Sequence, residues 1–312
     1  MTEGMYMKDE VLEKLIKAGK IATEAFEHGR KMIKPGVPLI RVCEEIENKI
    51  RSLGGEVAFP VNISINNIAA HYTSPFGDTK VFRKGMIVKL DIGAHVDGYI
   101  SDTARTIIVG EKNSNYMSLV EASENALLAA ERVLRANVRV NEISSAIKKA
   151  ITSMGFTPVK DLTGHSIEQY NLHSGISIPN VPSGMFSPKL KEGMVVAIEP
   201  FATTGKKGHV MEDLHGYIYS LVKDTAPSTR YKPFIDTIKK RFGTLPFAAR
   251  WITWMKRKVA EAMLNQLVGY GVLYKYNVLK DVDNGIVSQA ENTYIITKDG
   301  FIKTTHERYT AH

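Results

Sequence analysis

Two aspartates stand eleven positions apart in the stretch LDIGAHVDGYISDTARTIIV, residues 90–109. In an extended chain Asp91 and Asp102 would lie about 36 Å apart. A turn at His95–Gly98 removes that separation. With Val96 and Asp97 as the loop, Asp91 faces Asp102. With Asp97 and Gly98 as the loop, Asp91 faces Ala104 and Asp102 lies diagonally across on the same face. Either register brings the carboxylates within about 4.5–8 Å. Acids that close repel, so one takes up a proton or a cation joins them. The apolar flanks Ile87, Val88, Leu90, Ile107, Ile108 and Val109 favour a buried sheet over a solvated acidic face.

Other residues could complete such a site. LTGHSIEQYNLHSG supplies His165 and His173 in a polar, glycine-rich stretch, and NNIAAHYTSPFGD supplies His71 in similar surroundings. Glu291 interrupts the apolar stretch GIVSQAENTYIIT. A buried, unpaired glutamate is costly and requires a partner. Glu199 ends the stretch EGMVVAIE. Two aspartates, two glutamates and at least one imidazole suit two divalent ions such as manganese, iron, cobalt or zinc. Calcium sites rarely include histidine. The single cysteine, Cys43, provides neither a disulfide nor a thiolate zinc site, and its setting in IRVCEEIENKI makes it a core residue.

The elements that must position these groups occur twice. KGMIVKLDIG at 84–93 is echoed by EGMVVAIEPF at 192–201, an offset of 108, with Asp91 answering to Glu199. Helical periodicity predicts helices over about 8–32 and 39–53, then again over about 114–136 and 141–154. The second helices align at an offset of 101: Val42 with Ile143, Ile46 with Ile147, Ile50 with Ile151, Gly54 with Gly155. Each half is therefore two helices followed by strands. Helices on one side of a largely antiparallel sheet make an α+β fold, and a pseudo-twofold axis would bring both acids into a shared cleft. Residues about 225–270 read as helical only, an insert between late strands. Strands resume near 285–297 and 300–304.

Composition bounds the rest. The 312 residues are 44% hydrophobic and 24% charged, ordinary for a folded domain. No apolar run reaches the roughly 18–20 residues of a membrane span. The N-terminus lacks the apolar segment of a secretory signal, so a cytoplasmic location is expected. A net charge of +8 admits weak contact with RNA or a ribosome surface. The positive residues read as dispersed, without an aromatic-interleaved basic motif, so the charge is taken mainly as a solubility feature.

With these residues assembled, the sequence resembles type 2 methionine aminopeptidases of the M24 peptidase family, in the archaeal style without an N-terminal extension. The resemblance covers almost the whole chain. It rests on AFP (58–60), AAHYTSP (69–75), LDIGAHVDGYISDTA (90–104), TGHSIEQYNLHSG (163–175), AIEPFAT (197–203), FGTLPFAARW (242–251) and SQAENT (288–293). It implies the pita-bread fold of creatinase and the aminopeptidases, with a catalytic domain at 1–224 and 271–312 and a helical subdomain inserted at 225–270. It implies two divalent ions, cobalt, manganese, iron or zinc, held by Asp91, Asp102, His165, Glu199 and Glu291. Asp102 and Glu291 would bridge them. His71 and His173 would handle the scissile peptide, Glu199 would move the proton, and Phe59, Leu172 and Tyr276 would line the methionine pocket. The implied activity is excision of the N-terminal methionine from nascent polypeptides by a cytoplasmic monomer. Two rivals remain, a proline-specific peptidase of the same fold and a non-catalytic relative that binds RNA or ribosomes.

Overall fold

The structure, a computed structural model, describes residues 7–110, 114–185 and 187–305. The first half runs α1 (Asp9–Met32), α2 (Leu39–Ser52), β1 (Glu56–Ile65), β2 (Ile68–Ala70), β3 (Ile87–Val96) and β4 (Tyr99–Ile108). The second begins with α3 (Ser114–Glu131), α4 (Val140–Ser153), β5 (Thr157–Pro158), β6 (Thr163–Ile167), β7 (Ser177–Pro179), β8 (Val195–Ile198), β9 (Phe201–Thr203), β10 (Val210–Glu212) and β11 (Ile218–Leu221). Then come α5 (Lys232–Phe242), β12 (Phe247–Ala248), α6 (Arg257–Gly269), β13 (Leu273–Tyr276), β14 (Leu279–Asp281), β15 (Val287–Ile296) and β16 (Phe301–Lys303).

The main sheet has the order β1-β3-β4-β15-β8-β6-β7, with β5, β9 and β16 attached. Its pairings are antiparallel. Strand alternation divides its two faces. Val88, Leu90, Ile92 and Ala94 join the core beneath α1 and α2, while Val196, Ile198, Ala290 and Tyr294 join the core beneath α3 and α4. Asp91 and Glu291 sit at the intervening positions, on the face away from the helices. Helix α3 stops at Glu131 rather than continuing to about 136, and the Ala136 N–H instead donates to Thr297 O.

The duplication extends into the backbone bonding. Gly36 N donates to Phe82 O and Phe82 N to Val37 O; Asn137 N donates to Leu190 O and Leu190 N to Val138 O. Arg83 N meets Met86 Sδ at 3.2 Å, and Lys191 N meets Met194 Sδ at 3.2 Å. The turn glycines Gly85 and Gly193 have φ of 85° and 80°, where a Cβ would crowd the carbonyl. The first half pairs Ile65 with Val88, and the second pairs Ser166 with Val196. Seven extra residues therefore lie between β6 and β8.

The two halves meet along β4 and β15, where Ala104 pairs with Glu291. Thr106 Oγ1 donates to Gln289 O and accepts from Gln289 N; Thr293 Oγ1 donates to Asp102 O and accepts from Asp102 N. These reciprocal bonds pass into one another under the pseudo-twofold, whose axis runs through the Ala104–Glu291 pair.

Residues 225–270 hold more than helices. After α5 comes β12, then a 3₁₀ turn at Ala249–Trp251, then α6. Strand β12 pairs with β11, which also pairs with β13, in a separate three-stranded sheet. A two-residue strand is too short for alternation to show. Phe234, Ile238, Phe247, Leu264 and Leu273 share the core of this unit. No described helix is long and apolar enough to cross a membrane.

Candidate metal centre and active site

The hairpin β3–β4 takes the second of the two registers. Asp91 faces Ala104, Gly93 faces Asp102, and Asp97-Gly98 forms the two-residue loop. Both loop residues have positive φ, 51° and 82°, as an Asp-Gly hairpin turn requires. Asp91 and Asp102 thus lie diagonally on one face. Glu291 arrives on β15 opposite Ala104, His165 on β6, and Glu199 just after β8.

These residues line one cavity of about 270 Å³. All ten side chains singled out from the sequence border it: Phe59, His71, Asp91, Asp102, His165, Leu172, His173, Glu199, Tyr276 and Glu291. Among the described residues, Asp102, His165 and Glu291 form a group with one ligand atom each within 4.8 Å of one another. His165 Nε2 lies 3.7 Å from Asp102 Oδ2 and 3.6 Å from Glu199 Oε1. Two larger clefts, of about 830 and 570 Å³, border the 225–270 unit. Their one buried acid, Glu47, is already paired with Arg250.

The electrostatics fit a site that takes cations. Burial raises the Asp91 carboxyl to about 7, pulled partly back by the Gln289 and Asn62 side chains. Burial, then the charges of Asp91 and Glu199, holds Asp102 far above the carboxylate range. Burial and Asp91 do the same to Glu199. Glu291 is raised by burial and its three acidic neighbours, against a smaller opposing pull from Arg105. The Arg105 guanidinium donates to the carbonyls of Ala104 and Glu291 and to Asn292 Oδ1. Among the described residues, buried Asp91 Oδ1 and Asp102 Oδ1 have no hydrogen-bond partner. Four crowded carboxyls with orphaned oxygens, beside an imidazole, have the donor set of a divalent-metal site. Burial, then His173, depresses His165 to about 3, which keeps the ring neutral with a lone pair available.

The other two histidines are placed differently. The His173 ring lies 4.4 Å from that of His165, edge-on, and burial lowers its pKa to about 4. His71 Nδ1 is 3.2 Å from the Asn277 carbonyl, a contact in which the ring N–H donates. Its φ of 66° is strained for a residue with a Cβ. Its ring packs edge-on against Tyr276, 5.5 Å between centroids.

Sequence reasoning overlooked several residues that line the cavity or support its acids. Gln289 Nε2 donates to Glu291 Oε2 at 3.2 Å. Its spacing of two from Glu291 on one strand was the available signal. Asn62 pairs with Asp91 across β1 and β3. Pro246 and Tyr274 reach the wall from regions where no local pattern pointed inward.

The profile of metallopeptidase family M24 matches residues 13–222. The methionine aminopeptidase of Pyrococcus abyssi is 46% identical over 296 residues, covering 94% of this chain and 99% of the relative. Among solved structures, the methionine aminopeptidase of Thermotoga maritima superposes with a TM-score of 0.71 at 24% identity, covering 96% of this chain and 98% of that one. A structure described as a thermophilic Arx1 superposes with a TM-score of 0.88 at 19% identity, covering 98% and 93%. Both establish the shared pita-bread fold.

Proposed function

Because this chain belongs to metallopeptidase family M24, and within it to the methionine aminopeptidases, we propose that its cavity removes the N-terminal methionine from nascent polypeptides through five residues that hold two divalent ions. Asp91, Asp102, His165, Glu199 and Glu291 are the five that would hold them. The observation that carries the reading is the convergence of four carboxyls, Asp102 and Glu291 buried and Asp91 and Glu199 half-buried, and a neutral imidazole on one small cavity.

Bound metal supplies Lewis acidity and lowers the pKa of water toward about 7. The protein's own groups do the rest. Glu199 carries the water's proton to the leaving amine. His173 donates a hydrogen bond to the carbonyl oxygen as it gains charge, worth about 2.7–4 kcal/mol of barrier, while His71, whose Nδ1–H already donates to Asn277 O, presents Nε2 as an acceptor for the scissile peptide's N–H. Both rings are held neutral by burial, so each can present one N–H and keep one free nitrogen. Phe59, Leu172 and Tyr276 form an apolar wall for an unbranched thioether. A metal held by these acids would take the lone pair of the substrate's free α-amino group, which an internal peptide nitrogen does not have to offer. We assign the catalytic domain to 1–224 and 271–312 and the inserted subdomain to 225–270, and place the enzyme in the cytoplasm as a monomer.

The test is metal analysis of protein purified without chelator, alongside cleavage of a Met-Gly peptide and an Xaa-Pro peptide. Two ions per chain and cleavage after methionine are expected. Release of the Xaa residue from the proline substrate alone would reject the reading.

A further inference from the structure

His71 holds a backbone conformation that costs energy. Its φ of 66° is left-handed, and such strain persists only where the surroundings over-determine it. On its N-terminal side Ala70 pairs with Leu279, and the ring itself donates to Asn277 O. On its C-terminal side a restraint comes from the inserted unit. Arg250, in the 3₁₀ turn at Ala249–Trp251, donates through Nη1 to Thr73 Oγ1 at 2.8 Å and to the Ser74 carbonyl at 3.2 Å. Thr73 and Ser74 are fully buried and follow His71 closely in the chain.

The same guanidinium closes a ring of bonds. Its Nη2 pairs with Glu47 Oε1 of α2. Glu47 Oε1 also accepts from Val61 N of β1 at 3.4 Å, and Val61 O accepts from Thr73 Oγ1 at 2.7 Å. Trp251 Nε1 donates to the other Glu47 oxygen at 2.8 Å. Glu47 and Arg250 are both buried, and burial pushes the Glu47 carboxyl up against the opposing pull of Arg250. An ion pair this desolvated often gains little stability over apolar residues of the same volume, whereas it fixes the groups it bonds. Those groups adjoin the cavity. Val61 precedes Asn62, which supports Asp91, and Thr73 follows the His71-Tyr72 step. The chain leading to Arg250 comes from the cavity as well, since Pro246 lines its wall and Leu245 shares a core with Phe59 and Leu172.

We infer that Arg250 is a positioning residue for the cavity: from the inserted unit it fixes Thr73 and Ser74 and so keeps the strained His71 at the cavity wall. The inference rests on the aminopeptidase reading, in which His71 meets the scissile peptide. Arg250 acts through His71 alone and touches no substrate. Without the two Nη1 bonds, the segment after His71 relaxes toward ordinary backbone and the imidazole loses its aim. The insert is thereby part of the framework of the site.

The experiment is a double-substitution cycle on the full chain, reading kcat and KM for a Met-Gly peptide. Lysine keeps the charge opposite Glu47 but lacks the fork that bridges Glu47 and Thr73. Arg250→Lys should lower kcat roughly tenfold or more, with KM changed less than about threefold. Placed on His71→Ala, the same substitution should lower kcat less than about twofold further, because the residue it positions is already gone. Thr73→Val removes the acceptor at nearly constant shape and should repeat the Arg250→Lys result, while Thr73→Ser should stay within about twofold of wild type. Cobalt content and the cobalt absorption spectrum should be unchanged in each variant. Losses that multiply across the cycle overturn the proposal, as do a wild-type kcat in Arg250→Lys or a loss of cobalt that accounts for the lower rate. If Arg250→Lys does not fold, Thr73→Val takes its place in the cycle, with the same outcomes deciding. Failure of the cobalt-loaded wild-type chain to cleave the peptide is a separate result, which refutes the aminopeptidase reading and this inference with it.

Discussion

The two halves share a backbone and differ where chemistry is concentrated. Asp91 and Glu199 occupy equivalent positions, both raised by burial. Nearby positions diverge. Asp102 answers to Gln289, Ala104 to Glu291, and Ser64, opposite Lys89, to His165, opposite Ala197. The first half buries Lys89 with its ammonium on Asn66 O; the second has alanine at that place. Repeated turns and threonine bonds hold the sheet, while unequal side chains near the axis create the site. The scaffold is thus tolerant of asymmetry, provided the backbone bonds stay paired.

That contrast can be broken most severely at the axis. Glu291→Ala would make both sides of the central pair alanine, and turnover should fall roughly a thousandfold or more as metal is lost. Peptide cleavage together with metal content checks this; full activity at unchanged metal content would refute the assignment. His173→Ala should retain metal yet slow cleavage by roughly 100-fold or more. A wild-type rate constant at equal metal loading would remove its role at the carbonyl.

The equivalent acids also predict a pH effect on the metal-free protein. Their folded pKa values are raised, Asp91 to about 7, so the folded state holds more protons than an unfolded chain whose carboxyls titrate near about 4. Asp91's contribution is fully present below about 4 and is lost as pH rises through about 7; the other three, raised in the same direction, add to the loss as pH rises. The melting temperature of chelator-treated protein should fall by several degrees over that interval, and metal should reverse the fall. A flat profile would contradict the burial of protonated acids.

Smaller effects sharpen the symmetry itself. Thr106→Val and Thr293→Val should each cost about 1–3 kcal/mol in urea unfolding, because each leaves buried backbone groups unpaired. Costs differing by more than about 1 kcal/mol would mean that the halves are not energetically equivalent. Gly85→Ala and Gly193→Ala should each cost about 1–2 kcal/mol by the same measurement, since both turns need left-handed backbone.

Local chemistry made much of this legible. Apolar periodicity located the four sheet-packing helices, and the Asp-Gly turn narrowed the hairpin to two registers, one of which the structure adopts. The echo of Asp91 in Glu199 pointed to a shared cleft before any contact was known. Long-range features were not legible. The threonine bonds join residues 183 to 191 positions apart. The two residues of β12 become a strand only because β11 lies beside them. Gln289 and Asn62 look like ordinary polar residues until the fold places them against the acids. The positive charge, read as dispersed, is not: residues 225–270 hold nine Lys or Arg against two Asp or Glu, and only counting by region separates this from the whole-chain value.

The pair on the axis has a consequence for ancestry. Two identical subunits joined by a true twofold must place the same amino acid at both members of such a pair. Setting alanine against glutamate demands that the partners be encoded separately, as they are once fused into a single polypeptide. Covalent linkage is therefore what allowed a repeated scaffold to evolve an unequal centre.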